Sequence, residues 1–313
     1  MIKKPLVSVV IINWNGIQFI DKCLKSIISS TYNNLEIIVV DNNSSDGSPE
    51  YISKNYPNVK VIKNNRNLGF AAACNIGIKN TRGDIVVVAN NDIWVDSSWL
   101  DPLIELASKP EIGIVGPVVL EPRDSSIQNA GYRLHVSCYP IAIFQGRKYQ
   151  SEELPSLITV DYVSGAAMVA RKDLLVKLGK FDERFFAFYE DADICLRVKK
   201  LGYRCYICTT SRIYHFGSAS WNKFGLWQFL TSELSRIIFI IKHYGILHLV
   251  KSLLVYDIQY WIKRIIDVKH GLTKTQRSSG PSSLLKTILN VASSRFVILF
   301  CLPKLLITFK RNY

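Results

Sequence analysis

The feature that most constrains the fold is an alternation of apolar, β-branched runs with amphipathic helical patterns over the first 90 residues. Four such runs predict buried strands, at residues 7–12, 35–40, 59–62 and 84–89. Helical patterns lie between them, at residues 20–28, at a start formed by Ser48 and Pro49, and at residues 70–79. Strands that alternate with helices in this way predict an α/β fold, with a Rossmann-like, mostly parallel sheet flanked by helices.

The alternation becomes less regular after residue 120 and then returns. Residues 121–160 predict loops and short strands beside the sheet, and residues 165–178 resume ordered structure. Residues 191–201 predict a helix that is closed by Gly202, and residues 204–208 predict a further short strand.

Charge divides the chain into two regions. Residues 221–313 carry 14 Lys and Arg against 3 Asp and Glu, which accounts for +11 of the net charge of +14. We therefore predict a folded domain at residues 1–220 and a basic, helical C-terminal extension at residues 221–313, with a linker at residues 271–283. A basic extension indicates an anionic partner, either a membrane surface or a nucleic acid.

The pattern within the extension favours the membrane. Basic residues are interspersed with apolar residues that recur close to helical spacing, namely Leu226, Phe229, Leu230, Ile237, Ile240, Ile241, Leu253, Leu254, Tyr260 and Trp261. A second such stretch runs from residue 284 to residue 309. Helices of this kind lie on a bilayer surface rather than in a phosphate groove, so we expect peripheral membrane contact and no nucleic acid. The alternative is that they pack on the first domain and that their charges are merely solvated.

Composition excludes several classes of protein. The chain is 48% hydrophobic and 20% charged, which excludes a disordered or collagen-like protein. No apolar run reaches the roughly 18 residues of a simple membrane span, and residues 1–5 lead directly into a strand without a signal peptide. The seven scattered cysteines are typical of reduced core residues. We therefore expect a cytoplasmic protein at the inner face of the cell membrane.

Three polar clusters follow predicted parallel strands. They comprise residues 13–16 (NWNG), 41–44 (DNNS) and 90–92 (NND). Ligands of open α/β sheets bind at these carboxyl ends, so the three clusters together favour a shared site over ordinary turns. The first turn lacks G-x-G-x-x-G and the chain has no G-x-x-x-x-G-K-[ST] loop, which argues against a nicotinamide cofactor and a P-loop.

Six segments, in order, resemble the motifs of family-2 glycosyltransferases with the GT-A fold. They are residues 39–48 (VVDNNSSDGS), 67–77 (NLGFAAACNIG), 90–92, 163–168 (VSGAAM), 181–193 with FDE and YEDAD, and 215–220 (HFGSAS). The resemblance covers about residues 5–220 and is greatest to the rhamnosyltransferase-like branch. It implies a nucleotide-sugar-dependent enzyme that inverts the anomeric configuration of the sugar during transfer.

The resemblance places the nucleotide sugar among side chains at the strand ends and the motif that follows them. The implied donor contacts are Asn13, Asn15, Asp41, Asn43, Asn67, Asn75, Asn91 and Asp92. Asp41 resembles the residue that binds the nucleotide base. The alternative is that Asp41 caps backbone amides of its own turn.

The resemblance also implies a metal site, because a departing diphosphate develops negative charge that a hard cation stabilises. Asp92 and His215 are the implied ligands, for Mg²⁺ or Mn²⁺. Asn90 stands where the family motif has its first acid, and a neutral amide is the weaker oxygen donor. His215 has the alternative of a structural role.

An inverting transfer needs one base that takes the proton of the acceptor hydroxyl. By resemblance this base is Asp191, with Gly165 and Glu190 on the acceptor side and Asp193 as a structural carboxylate. The alternative is that these acids only start a helix. The resemblance implies an inverting glycosyltransferase that moves a sugar, with rhamnose as one candidate, from a nucleotide-diphosphate donor to a glycan or lipid-linked acceptor in cell-surface polysaccharide assembly. A catalytically weak sugar-nucleotide-binding protein, recruited to the membrane by its basic tail, is the competing function, and Asn90 is the feature that favours it.

Overall fold

The computed structural model describes residues 4–217, 225–259 and 262, with side chains from residue 227 onward in the second range. Its described residues form two compact units. The first contains residues 4–135 and 140–217, and the second contains residues 136–139 with the described residues after 224. The predicted linker at 271–283 and the stretch at 284–309 lie outside the described residues.

The first unit is a mixed α/β domain. Its strands are β1 Val7–Asn13, β2 Leu35–Asp41, β3 Lys60–Lys63, β4 Ile85–Asn90, β5 Ile93–Val95, β6 Ile112–Leu120, β7 Ile127–Asn129, β8 Tyr132–Leu134, β9 Pro140–Ala142, β10 Leu157–Thr159, β11 Ala167–Arg171 and β12 Arg204–His215. Its helices are α1 Ile17–Ile28, α2 Ser48–Asn55, α3 Phe70–Lys79, α4 Asp101–Ala107, α5 Lys172–Lys177 and α6 Glu190–Lys200, with a 3₁₀ turn at Ser151–Glu153.

One large sheet organises this unit. Its strand order is β10-β12-β6-β11-β4-β1-β2-β3, with β5 paired to β12 and β7 paired to β6. Strands β3, β2, β1 and β4 are parallel, β12 is parallel to β6, and β11 lies antiparallel between β4 and β6. The chain leaves β1 toward β2 on one side and returns to β4 on the other. The carboxyl ends of β1 and β4 therefore flank a switch point, where α/β sheets bind their ligands.

Burial explains why the strands form where they do. Every residue of β1 and of β6 is buried, as expected for strands covered on both faces. Helix α3 packs so closely on β1 that a Cβ built at Gly77 would lie 2.1 Å from Cγ1 of Val10. Only glycine fits at that contact, so α3 sits against the sheet with its N-terminus near the switch point.

Two details differ from the sequence pattern. Helix α2 begins at Ser48 with Gly47 in the capping position, one residue earlier than the predicted cap. The predicted strand at 204–208 extends to His215, because β12 resumes its pairing with β6 after a register shift between Cys208 and Arg212. This shift lies opposite Pro117, whose ring removes a backbone donor, and a bulge accommodates that loss.

The second unit is helical in its described residues. It contains α7 Gly225–Tyr244, α8 Ile246–Lys251 and a π-helical turn at Ser252–Tyr256. Arg236 is buried and donates to the carboxylates of Glu233 and Asp257 at 3.0 and 2.9 Å, which pairs its charge inside this unit. Within the described ranges, no helix is long and apolar enough to cross a membrane.

The structure corrects part of the surface pattern expected for the extension. Ile237 and Ile240 are buried, as are Ile238 and Phe239 between them, so this stretch of α7 is covered on all sides. Buried side chains of this kind do not present an apolar face to a bilayer. Apolar residues are exposed at other positions of this unit, among them Trp227, Leu247 and Leu254, and the sequence pattern did include Leu254.

Candidate active site

The first polar cluster lies at the carboxyl ends of β1 and β2, where Asn13 and Asp41 are paired in register. Both side chains are buried. Asn13 Nδ2 donates to Asp41 Oδ1 at 2.7 Å and to Ser48 Oγ at 2.8 Å. Ser44 donates to Asp41 twice, from its backbone N at 3.0 Å and from its Oγ at 2.6 Å. Asp41 therefore shapes its own turn, as the capping alternative expected, and any ligand contact comes in addition to that role.

The loop after β1 is fastened to the loop after β2. Asn15 has a left-handed backbone with φ 49°, its N–H donates to Ser44 Oγ at 2.8 Å, and its Oδ1 accepts from Ser45 N at 2.9 Å. Asn91 Nδ2 donates to Asn13 Oδ1 at 2.8 Å and brings the third cluster to the first. Three strand ends thus form one preorganised polar edge.

The remaining predicted donor contacts lie on different segments. Asn43 sits in the β2–α2 turn with φ 63°, and Asn67 accepts from Gly69 N at 2.9 Å in the turn that starts α3. Asn75 is engaged elsewhere. Its Nδ2 donates to Phe181 O and its Oδ1 accepts from Phe181 N, both at 2.9 Å, so it anchors the segment that leads to α6. The structure thus gives Asn75 a scaffolding contact in place of a free amide.

The two implied metal ligands meet at the end of β4. Asp92 Oδ1 lies 3.2 Å from His215 Nε2, and both side chains are nearly buried. Asn90 Nδ2 lies 3.2 Å from the same ring nitrogen. Residue 93 in β5 pairs with His215 in β12, which explains how two segments 123 positions apart in the sequence converge.

Asp92 and His215 form a two-residue donor set. Among the described residues, no group of three or more His, Cys, Asp or Glu side chains is arranged to hold a metal ion. A carboxylate oxygen and an imidazole nitrogen that face each other are nevertheless a fitting donor set for a divalent ion that takes its other ligands from phosphates and water.

The implied base lies at the first turn of α6. Asp191 Oδ2 accepts from Gly165 N at 3.0 Å, and Asp191 Oδ1 accepts from Ala192 N at 2.8 Å. Burial raises the pKa of Asp191 from 3.8 to about 6, against the lowering effect of these N–H donors. A carboxylate tuned to this range is ionised near neutral pH and is more basic than an ordinary aspartate.

Glu190 differs from its neighbour. It is buried, its Oε2 has no hydrogen-bond partner, and burial together with the charge of Asp191 raises its pKa well above the ordinary range. Burial therefore favours the uncharged form of Glu190. Phe188 and Tyr189, just before it, both have left-handed φ of 67° and 66°, a backbone cost that concentrates at functional sites.

Asp193 has the structural role expected of it. It is fully buried and accepts from Arg197 Nε at 2.8 Å. The same guanidinium donates to the carbonyls of Leu178 and Lys180 at 2.7 and 2.6 Å. This pair fastens α6 to the turn after α5 and leaves Asp191 as the carboxylate that faces the Gly165 segment.

A short backbone connection joins the base to the polar edge. Asn90 N donates to Ala166 O at 3.1 Å, and the adjacent Gly165 N donates to Asp191. The base, Asn90 and its neighbours Asn91 and Asp92 are thus organised around one end of β4.

Sequence reasoning missed three partners here: Ser44 and Ser48 around Asp41, and Gln128, which bonds to His215. Only the first two lie inside a recognised motif.

Comparison with known proteins agrees with this geometry. Residues 8–179 match the family described as Glycosyl transferase family 2. The chain belongs to this family. It is a glycosyltransferase of the rhamnosyltransferase-like kind, and its mixed sheet with flanking helices is the GT-A fold.

Named relatives and solved structures extend the comparison. This glycosyltransferase is 27% identical over 235 residues to the N-acetylglucosaminyl-diphospho-decaprenol L-rhamnosyltransferase of Mycobacterium tuberculosis, over 67% of the chain and 76% of that protein. It is 26% identical to the O-antigen biosynthesis protein RfbC of Myxococcus xanthus, over 69% of the chain and 18% of that protein. The mannosyltransferase PcManGT of Pyrobaculum calidifontis, solved with GDP-Man and Mn²⁺, matches with a TM-score of 0.61 at 18% identity. The match covers 95% of this chain and 81% of the mannosyltransferase chain. GalNAc-T7, solved with UDP, GalNAc and Mn²⁺, has a TM-score of 0.57 at 20% identity over 67% of the chain and 44% of its own.

Proposed function

We propose that this glycosyltransferase moves a sugar, with rhamnose as the first candidate, from a nucleotide-diphosphate donor to a hydroxyl group of a glycan or lipid-linked acceptor. The reaction inverts the anomeric centre and serves the assembly of a cell-surface polysaccharide. The name of the Mycobacterium tuberculosis relative supports the choice of rhamnose and of a lipid-linked acceptor.

The Asp191 carboxylate carries this proposal. It is held by the Gly165 N–H beside the strand end that bears Asn90, and its pKa of about 6 suits a base. In a single displacement, the acceptor oxygen forms a bond to the anomeric carbon while the bond from that carbon to the diphosphate oxygen breaks. The acceptor proton passes to Asp191, and the diphosphate leaves with the bonding electron pair.

The polar edge is proposed as the donor site. Asn13 and Asn91 are buried and mutually bonded, and Asp41 is fixed by Ser44, so the edge is rigid before any ligand arrives. A rigid polar edge binds a nucleotide with little loss of side-chain freedom. Asp41 is assigned to the nucleotide base, and the adjacent Asn15, Asn43 and Asn67 line the approach.

Asp92 and His215 are proposed to hold a divalent cation, Mg²⁺ or Mn²⁺. Such an ion supplies positive charge where the departing diphosphate becomes more negative. The mannosyltransferase PcManGT and GalNAc-T7 were both solved with Mn²⁺, which supports this choice of ion. We expect Asp92→Ala to lower donor affinity and turnover together, and full activity in excess chelator would contradict a metal requirement.

A stripe of exposed apolar residues supports peripheral membrane contact. It consists of Leu247, Val250, Leu254 and Ile258, spaced by three or four residues along the helical segment that includes α8. Leu247 and Leu254 are 76% and 67% exposed, while Leu249, Ser252 and Asp257 are buried. An apolar stripe on a region with a net charge of +11 is the arrangement of a helix that binds an anionic bilayer surface.

Vesicle flotation tests the membrane contact with the full-length chain. The wild type should float with phosphatidylglycerol vesicles and be partly released by salt, since screening weakens contacts between exposed charges. The double variant Leu247→Ser and Leu254→Ser should float much less. Val176→Ser with Leu201→Ser, two apolar residues of the first unit that are 53% and 48% exposed, is the control and should float like the wild type. Equal flotation of both double variants would contradict the stripe as the contact.

A donor panel tests the proposed reaction. The full-length protein is incubated with dTDP-, UDP- and GDP-sugars, and both binding and release of the nucleoside diphosphate are measured, with and without acceptor. One donor should bind and be consumed faster when acceptor is present, and Asp191→Asn should keep the binding but lose the consumption. Binding without consumption of any donor would favour the catalytically weak binding protein instead.

A further inference from the structure

Gln128 approaches the ring of His215 from a segment outside every recognised motif. It lies in β7, which pairs with the last residues of β6, and the end of β12 pairs with the same residues of β6. Gln128 Oε1 lies 2.8 Å from His215 Nδ1. The two side chains are 87 positions apart in the sequence, so the contact is a product of the fold.

The orientation of the Gln128 amide is fixed by its other two contacts. Its Nε2 donates to the backbone oxygen of His215 and to Oε1 of Glu121, both at 3.2 Å. Both of these atoms are acceptors, so the amide nitrogen must face them. The amide oxygen therefore faces the ring, and because a carbonyl oxygen only accepts, His215 Nδ1 must carry a hydrogen.

The other ring nitrogen is thereby left with its lone pair when the ring carries a single proton. This nitrogen, Nε2, is the one that lies 3.2 Å from Asp92 Oδ1. It can accept from Asn90 Nδ2 at 3.2 Å. A carboxylate oxygen and a nitrogen lone pair do not attract each other, whereas a divalent cation attracts both.

We propose that Gln128 is a positioning residue that selects the tautomer and orientation of His215 in which Nε2 faces the divalent cation. This inference rests on the proposed function of Asp92 and His215 as the metal site. Outer groups that accept the second N–H of a metal-binding imidazole hold the ring in place, and their loss typically costs about 10- to 100-fold in metal affinity.

The first test needs no metal ion, and its readout comes from the unsubstituted chain. Long-range ¹H–¹⁵N correlation spectra of the ¹⁵N-histidine-labelled full chain, recorded at about pH 8, report which nitrogen of each ring is protonated. The His215 signals are assigned by their loss in His215→Ala among the five histidines. Hydrogen on Nδ1 alone is the expected state. Hydrogen on Nε2, or on both nitrogens, would overturn the inference.

The second test is a double-mutant cycle that compares Mn²⁺ affinities. Electron paramagnetic resonance measures the affinity of the full-length protein for Mn²⁺ in the presence of a nucleoside diphosphate. Gln128→Met, which keeps the size and removes the acceptor, should weaken Mn²⁺ binding about 10- to 100-fold. Gln128→Glu combined with Glu121→Gln keeps an acceptor for Nδ1–H without placing two carboxylates side by side, and it should retain most of the affinity. In a His215→Ala background, Gln128→Met should have no further effect.

The outcomes separate this inference from the metal site itself. If Asp92→Ala and His215→Ala bind Mn²⁺ as tightly as the wild type does, the metal site is refuted. If those variants do weaken binding but Gln128→Met does not, the metal site stands and the role of Gln128 is overturned. An equal loss from Gln128→Met in both backgrounds would also overturn it, because the effect would not pass through His215.

Discussion

Replacement of Asp191 by Asn should have opposite effects on catalysis and on stability. The substitution keeps the shape of the side chain and an oxygen that accepts from Gly165 N–H. It removes the group that takes the acceptor proton, and loss of a general base typically lowers the rate by roughly 100- to 10,000-fold. Donor affinity should change little, because the polar edge around Asn13 and Asp41 is untouched.

The stability effect follows from the raised pKa. The pKa of Asp191 rises from 3.8 to about 6, so the folded protein holds this proton more tightly than the unfolded chain does. Its contribution to stability is present at acidic pH and is lost as pH rises between these two values. Two pH units correspond to about 3 kcal/mol, which is an upper limit because the side chain is partly exposed to water. The Asn variant has no such loss.

The experiment compares urea unfolding of wild type and Asp191→Asn at about pH 4.5 and pH 8. The difference in free energy of unfolding should favour the variant and should grow from a small value at the lower pH to as much as about 3 kcal/mol at the higher. Taking the difference at each pH cancels the titration of all other groups to a first approximation.

Glu36→Gln is the matched control of opposite sign. Burial raises the pKa of Glu36, but hydrogen bonds from Ser8 and from the backbone and side chain of Arg82 prevail and lower it to about 2. Its stabilisation is present above the unfolded pKa of 4.5 and is lost as pH falls. This variant should lose stability, and more at pH 8 than in acid. An Asp191→Asn variant with the same pH trend as Glu36→Gln would refute the reasoning.

Three further outcomes follow from the same site. The value of kcat/KM should rise with pH through an apparent pKa near 6 as Asp191 ionises, and a profile that stays flat down to about pH 5 would contradict Asp191 as the base. Glu190→Gln should change the free energy of unfolding by no more than about 1 kcal/mol, because burial raises the pKa of Glu190 and so favours the uncharged form, which glutamine resembles. Gly16→Ala should weaken donor binding, measured by calorimetric titration, because its Cβ would lie 1.9 Å from Asn91 Nδ2. The Cβ of Gly165→Ala would meet nothing closer than 3.6 Å, so this variant should have the melting temperature of the wild type.

The sheet core was predictable because its strands are continuous apolar runs. Strands β1 and β2 and helix α3 fall within a residue of their predicted bounds, since β-branched runs and helical spacing are local signals. Strand β6 was missed although all nine of its residues are buried. Its Gly116 and Pro117 are turn signals in a sequence, and only the bulge in β12 makes a proline acceptable there.

The candidate site was predictable only where a motif lies at a strand end. Asn13, Asp41 and Asp92 follow β-branched runs, so their meeting at one edge follows from a parallel sheet. Gln128 gave no such signal, because it lies in the irregular stretch after β6 and its partner is 87 residues away. Amphipathic spacing likewise did not distinguish buried Ile237 from exposed Leu254, since periodicity identifies an apolar face but not what covers it.

The anomeric configuration of the product tests the central claim most directly. Once the donor panel has identified the sugar, the full-length enzyme transfers it to an acceptor, and nuclear magnetic resonance compares the anomeric centre of the new glycoside with that of the donor. A base at Asp191 that acts in a single displacement predicts inversion, with the product signal lost in Asp191→Asn. Retained configuration, or an inverted product formed at an undiminished rate by that variant, would contradict the account.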